Sequence, residues 1–202
     1  MRAILGSLLV LLTSTVSLTA RSPETPNHLS LYFGRCIDAN LLEVLPKLLS
    51  GDLTTDDASI LSVAYFRDFY TLPLFGRENK LLFSYGGTLS VHPSYNLEGT
   101  INIRGTLREI LPENDYVDMD FSAATGLSYV WGDLDYEDGT LSEPDKKYRF
   151  QSSEIFQLDI YPRRNPATKF FFRLHHRSGM YGLIAPRRVG SNFLGAGFSW
   201  SY

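Results

Sequence analysis

The chain reads as an all-β protein whose eight antiparallel strands close into a barrel. Three observations predict it. Eight stretches alternate apolar and polar residues, the two-residue period that sends successive side chains to opposite faces of a sheet. Beyond residues 1–20, no segment reaches the ~18 consecutive apolar residues of a membrane-crossing helix. The connections are short at one end and mostly long at the other, the pattern of antiparallel barrels that span a membrane.

Composition sets the outer limits. The 202 residues suit one domain. Residues 1–20 read as a secretory signal: Met1 and Arg2 start it, residues 4–16 are apolar, and residues 17–20 offer a cleavage region ahead of Arg21. Residues 21–202 are then the barrel domain. A single cysteine, Cys36, leaves no internal disulfide and no thiolate metal cluster, and it lies too far from the apolar run to carry a lipid anchor. A net charge of −3 without a basic block gives no reason to expect nucleic acid. Aromatic residues make up 13%, high for a soluble domain. Neither a metal nor another cofactor is expected.

The predicted strands are 29–36, 59–71, 80–91, 97–108, 115–130, 149–161, 168–178 and 191–202. In the third, Leu81, Phe83, Tyr85, Leu89 and Val91 share a face. The fourth sets Leu97, Ile101, Ile103 and Leu107 against Glu98, Thr100, Asn102, Arg104 and Arg108. The fifth sets Val117, Met119, Phe121, Ala123, Leu127 and Tyr129 against Asp118, Asp120, Ser122 and Ser128. The sixth sets Phe156, Leu158 and Ile160 against Gln157 and Asp159. The last sets Leu194, Ala196, Phe198, Trp200 and Tyr202 against Ser191, Gly195, Gly197, Ser199 and Ser201. The polar faces carry Gly, Ser, Thr and both signs of charge. That composition suits the interior of a small closed barrel, its charges paired as structural ion pairs and its apolar face turned to lipid. Strands of ~9–12 residues match a tilted bilayer crossing.

The even connections, 72–79, 109–114 and 162–167, are short and hold Pro73, Pro112, Pro162 and Pro166. The odd ones, 37–58, 131–148 and 179–190, are long, apart from a tight turn near His92, Pro93 and Ser94. Short turns belong to the periplasmic side and long loops to the outside. Residues 38–51 predict a short amphipathic helix in the first outer loop, capped by Asp38 or Asn40 and ended by Gly51. Such a helix packs on the barrel rim as a lid or plug, or lies against headgroups. The acidic run 133–145 reads as a mobile outer loop without the spacing of a Ca²⁺ loop.

The seventh strand carries the chemistry. Phe170, Phe172 and Leu174 lie on one face, and His176 and Ser178 continue it. Arg173, His175 and Arg177 alternate with them toward the lumen. The strand runs outward, so the histidine and serine sit at outer-leaflet level on the lipid side. A histidine two residues from a serine brings an imidazole within reach of a hydroxyl, the start of a nucleophile–base pair that needs a third group to orient the base. If the turn before this strand centres near Asn165, Glu154 stands across from His176. Asn192 is a second candidate for the orienting role. Arg187 and Arg188 in the last outer loop suit lipid phosphates.

The segment His176-Arg177-Ser178, with the following loop and residues 190–202, resembles the PagL-type lipid A 3-O-deacylases and related outer-membrane acyloxyacyl hydrolase-like barrels. The resemblance spans about thirty C-terminal residues, with barrel patterning over the rest. It implies an eight-stranded outer-membrane barrel that removes an acyl chain from lipid A without a metal, with His176 as general base and Ser178 as nucleophile. Two positions depart from the family. Gly179 stands where an asparagine usually follows the serine, so the backbone N–H groups of Gly179 and Met180 would serve the oxyanion. Residues 190–192 are Gly, Ser and Asn where the family's acid falls, and no carboxylate occurs from His176 onward.

The expectation is an outer-membrane esterase embedded in the membrane, with lipid A or lipopolysaccharide of the outer leaflet as its partner. Whether it forms a homodimer is left open. The alternative is a non-catalytic structural or adhesive barrel that meets partners through loops 37–58 and 131–148. A soluble lipocalin-like carrier would instead turn its apolar residues inward.

Overall fold

The computed structural model describes residues 27–74, 77–137, 140, 142–187 and 189–202; the expected signal segment and Arg188 lie outside these. Eight strands form a closed ring, each antiparallel to its neighbours: β1 Asn27–Ile37, β2 Thr55–Leu74, β3 Arg77–Val91, β4 Leu97–Leu107, β5 Val117–Trp131, β6 Phe150–Pro162, β7 Thr168–Ser178 and β8 Gly190–Ser201. β8 pairs with β1 and seals the barrel, with Leu29 opposite Trp200 and Phe33 opposite Ala196.

The alternation read from the sequence holds around the ring. Leu31, Phe33, Leu61, Val63, Tyr85, Leu89, Ile101, Ile103, Phe121, Leu127, Phe172 and Phe198 are all exposed on the outer surface. Ser30, Ser62, Ser84, Thr88, Asn102, Asp120, Ser122, Gln157 and Arg173 are buried inside. An apolar outer belt around a polar, side-chain-filled lumen is stable only with hydrocarbon outside. The chain is an eight-stranded transmembrane barrel of the outer-membrane type. No helix among the described residues is long and apolar enough to cross a membrane.

Four of the interior charges read from the sequence, Glu98, Arg104, Asp118 and Asp120, form ion pairs, each with a partner outside that set. Arg104 lies 3.8 Å from Asp68, Asp118 is 2.5 Å from Arg163, and Asp120 takes Lys169. Glu98 anchors the outer half of the lumen. It lies 2.9 Å from His92 Nε2 and 3.1 Å from His175 Nε2, and it accepts the Ser128 hydroxyl at 2.6 Å. Arg177 adds its charge at 3.3 Å and also pairs with Glu137.

Three features differ from the sequence reading. β2 and β3 run through most of the expected turn at 72–79. Pro73, which has no N–H to give the ladder, is accommodated by a register shift between Leu72 and Leu74. The lumen is not wholly polar, because Tyr32, Cys36, Ile60, Phe171 and Phe193 form a buried cluster within it. The acidic loop is not simply outside either. Leu134 and Glu137 are buried, Glu137 accepts from Arg177, Ser191 and Gln151, and Tyr136 stacks on His92 and meets Phe193 edge to face. This part of the loop stoppers the outer end of the barrel.

The first outer loop carries a 3₁₀ turn, Leu41–Glu43, running into helix α1, Val44–Ser50. Its start is Asn40, whose backbone N–H and side-chain amide both donate to the Glu43 carboxylate, holding that carboxyl below its ordinary value. Gly51 ends it with φ of 82°, a left-handed position that only glycine adopts without strain. Leu42, Leu45 and Leu49 stay exposed while Val44 is buried.

Candidate functional site

Register builds the site. The β6–β7 turn is closed by the Asn165 N–H donating to the Pro162 carbonyl, and the two strands then pair Glu154 with His176 and Ser152 with Ser178. β7 and β8 pair His176 with Asn192 and Ser178 with Gly190. On the lipid-facing surface this makes three successive rows toward the outside. Phe156, Leu174 and Leu194 form the last apolar row; Glu154, His176 and Asn192 form the next; Ser152, Ser178 and Gly190 form the last. The polar patch begins where the hydrocarbon-facing stripe stops.

The hydrogen bonds fix the imidazole. Asn192 Nδ2 donates to the Ala39 carbonyl at 2.7 Å, which turns its Oδ1 toward His176. His176 Nδ1 lies 2.7 Å from that oxygen and must therefore carry the proton. Nε2 keeps its lone pair and faces Glu154 Oε2 at 3.9 Å. The side chains of His176 and Glu154 are mostly but not wholly covered, at 13% and 17% exposure.

Ser178 belongs to the same patch, though its partners are others. Its Oγ is 2.9 Å from Ser152 Oγ and 3.5 Å from Glu154 Oε2, and it accepts the Met180 N–H at 3.2 Å. Ser152 Oγ also donates to the Ser178 carbonyl at 2.9 Å. Glu154 thus stands between the hydroxyl and the imidazole, and no hydrogen bond joins His176 directly to Ser178. Of the two candidates to orient the base, Asn192 makes the short contact and Glu154 supplies a nearby charge.

Gly179 has a steric reason to be glycine. A Cβ there would sit 2.2 Å from both the Ala185 and Pro186 carbonyl oxygens, and its own carbonyl accepts N–H groups from Gly182, Ile184 and Ala185. The last outer loop is wound tightly on this point, with Met180 and Tyr181 at φ of 48° and 55°. Gly179→Asn is expected to push that loop off Ser178 and destabilise the barrel by ~1–3 kcal/mol, read as a lower urea midpoint in detergent micelles. An unchanged midpoint would show the loop yields freely. Arg187 is exposed, with its Nε donating to the Tyr181 carbonyl at 3.1 Å.

Sequence reasoning missed Ser152. The signal was available, since the register that sets Glu154 against His176 also sets Ser152 against Ser178. It also missed a second serine–histidine–carboxylate set at the short-turn end of the lumen, where His28 lies 2.8 Å from Ser201 Oγ and 2.6 Å from Asp68 Oδ2. That set bonds onward to Ser84 and faces the barrel interior. It ties β1, β2 and β8 together.

No family model matches the chain, and no curated protein matches it. Among solved structures, the crystal structure of Neisserial surface protein A (NspA) aligns with 87% of this chain and 97% of its own, at 13% sequence identity and a TM-score of 0.46.

Proposed function

We propose that the barrel is a serine esterase that removes an ester-linked acyl chain from lipid A in the outer leaflet, as its likeness to the PagL-type deacylases implies. One observation carries the reading. Ser152, Glu154, His176, Ser178 and Asn192 converge on the lipid-facing surface at the edge of the apolar belt, where burying a carboxylate is expensive.

The chemistry follows from the tautomer. Ser178 turns about its side-chain bond from Ser152 and Glu154 toward His176. Nε2 takes the hydroxyl proton as Oγ bonds to the ester carbonyl carbon. Asn192 Oδ1 holds the Nδ1–H throughout, and the Glu154 carboxylate stabilises the imidazolium as it forms. The Met180 N–H, already aimed at the Ser178 oxygen, is placed beside the developing oxyanion. The C–O bond to the sugar breaks as Nε2 returns the proton to the leaving alkoxide. Water, deprotonated by the same nitrogen, then attacks the acyl-serine, and Nε2 returns that proton to Ser178 Oγ as the acyl–Oγ bond breaks and the fatty acid leaves.

Wild-type barrel in detergent is expected to release hydroxy fatty acid from purified lipopolysaccharide, measured by mass spectrometry. Ser178→Ala and His176→Asn are each expected to lower that rate by ~10³-fold or more while leaving the folded barrel intact. A wild-type protein that releases nothing sinks the esterase reading. The second reading, a structural or adhesive barrel, is favoured by the closed hydrogen bonding of Ser178 to Ser152 and Glu154. It predicts that a fluorophosphonate leaves Ser178 unlabelled.

A further inference from the structure

The short-turn end of the lumen holds a second set of reactive groups, and register assembles it. His28 on β1 pairs with Ser201 on β8 and with Phe66 on β2, and Asp68 lies two residues beyond Phe66 on the same inward face. Asp68 in turn pairs with Ser84 on β3. The imidazole therefore bridges β8 to β2, with Nδ1 2.8 Å from Ser201 Oγ and Nε2 2.6 Å from Asp68 Oδ2. The Ser84 hydroxyl donates to the other carboxylate oxygen at 2.6 Å and steadies it from behind. Backbone bonds hold the serine as firmly. Its N–H donates to the Ala167 carbonyl at 2.8 Å, and the Tyr202 N–H donates to the Asn27 carbonyl at 3.0 Å.

Proton positions follow from these partners. The Asp68 carboxylate only accepts, so His28 Nε2 carries the ring proton and Nδ1 keeps its lone pair for the Ser201 hydroxyl. Hydroxyl, base and carboxylate thus stand in the order that activates a serine. Ser178 has to leave Ser152 and Glu154 before it meets an imidazole, whereas Ser201 already touches one. Lys169 pairs with Ser199, two residues inward of Ser201 on the same face. Lys169 and Arg104 both lie within electrostatic reach of the His28 ring, so positive charge is at hand for an oxyanion.

Position decides what can reach the set. It faces the lumen, so the wall of β1 and β8 separates it from hydrocarbon and a membrane lipid has no path to it. Deeper in, the lumen is filled: Arg104 lies over the Phe66 ring at 4.3 Å, and Arg173 bonds to Ser30. The open side is the periplasmic mouth, where Ser201 is half-buried and the His28 side chain is 15% exposed. We infer that Ser201 is a second nucleophile, with His28 as its base and Asp68 orienting the ring, that cleaves small water-soluble carboxylic esters entering from the periplasmic side. Oγ bonds to the acyl carbon as its proton passes to Nδ1, which hands that proton to the departing alkoxide. Water then gives a proton to Nδ1 as it attacks the acyl-serine, and Nδ1 returns it to Oγ as the carboxylic acid leaves. The inference is independent of the lipid-side site.

The test uses the full barrel carrying Ser178→Ala in detergent micelles, so that the lipid-side serine contributes nothing. A short-chain fluorophosphonate is expected to bond to Ser201 Oγ with loss of fluoride. Trypsin digestion and mass spectrometry would then find the added mass on residues 189–202, and fragmentation would place it on Ser201. The same protein is expected to turn over p-nitrophenyl acetate. Adding Ser201→Ala, which removes one hydroxyl at the end of the last strand, is expected to lower that rate by ~100-fold or more. Asp68→Asn, which keeps the shape but lets the ring reverse its proton, is expected to slow labelling of Ser201 by a similar factor. Gel mobility of the unheated samples shows that each variant is folded. A folded Ser178→Ala barrel with Ser201 unlabelled overturns the proposal. So does ester turnover unchanged by Ser201→Ala, or labelling equally fast in Asp68→Asn. Fatty-acid release from lipopolysaccharide depends on Ser178 and is decided separately.

Discussion

Glu98→Ala is expected to lower the unfolding free energy of the barrel by ~3–5 kcal/mol, among the largest effects of any single lumen substitution. The carboxylate is fully buried and is the common acceptor for His92, His175 and Ser128, with Arg177 beside it. Removing it leaves two imidazoles and a hydroxyl without their acceptor in a place water does not reach. It also leaves the Arg177 guanidinium with Glu137 as its remaining carboxylate. Glu98→Gln keeps the shape and an acceptor but loses the charge, and should fall between the two. Urea unfolding in micelles, followed by the fluorescence of Trp131 and Trp200, measures the series. A loss below ~1 kcal/mol for the alanine variant would mean the lumen network is solvated and easily rearranged.

Ile101→Arg is expected to cost ~2–4 kcal/mol in lipid bilayers, because Ile101 projects from the middle of β4 into the apolar belt and a guanidinium there meets hydrocarbon. Leu183→Arg is the control. The two side chains are equally bare in the protein, at 78% and 82% exposure. Leu183, however, lies in the last outer loop, where the same change is expected to cost ~0–1 kcal/mol. The difference reports depth in the membrane rather than contacts in the protein. If both substitutions were neutral, the belt would not be facing lipid.

Much of the fold was legible because a closed barrel is written in the simplest code available, a period of two. β4, β5 and β7 fell within a residue or two of their expected ends, and the Glu154–His176 pairing followed from one turn centred on Asn165. Errors gathered where that code weakens. Near Pro73 a proline usually marks a turn, yet a shift of register lets the strand carry on. The buried lumen cluster was hidden because Phe171 and Phe193 sit among polar neighbours on the inward face, and no local pattern announces an aromatic inside. Loop residues 134–137 looked like solvated acid. Their partners, Arg177, Ser191 and Gln151, come from β6, β7 and β8, so only the folded ring shows that a glutamate belongs in its mouth.

The site was legible in part for the same reason. Parity placed Glu154, His176 and Ser178 on one face, and Asn192 had been weighed as the orienting partner. Parity alone does not say which polar atoms touch. The choice between Asn192 and Glu154 came from the Ala39 carbonyl, which turns the Asn192 amide and thereby selects the protonated ring nitrogen. That carbonyl belongs to a loop more than a hundred residues away along the chain, a kind of constraint no periodicity reveals.

The seam between β1 and β8 bears on biogenesis. Every other hairpin in the ring joins strands adjacent in sequence, but Leu29 meets Trp200 across nearly the whole length of the domain. Until β8 arrives, β1 and β7 present raw edges whose N–H and C=O groups cannot be left open in a bilayer. Sheet growth can therefore proceed hairpin by hairpin, while insertion has to wait for the ends to meet. Closure of the ring therefore rests equally on β1 and β8, the two strands that complete its last set of backbone hydrogen bonds.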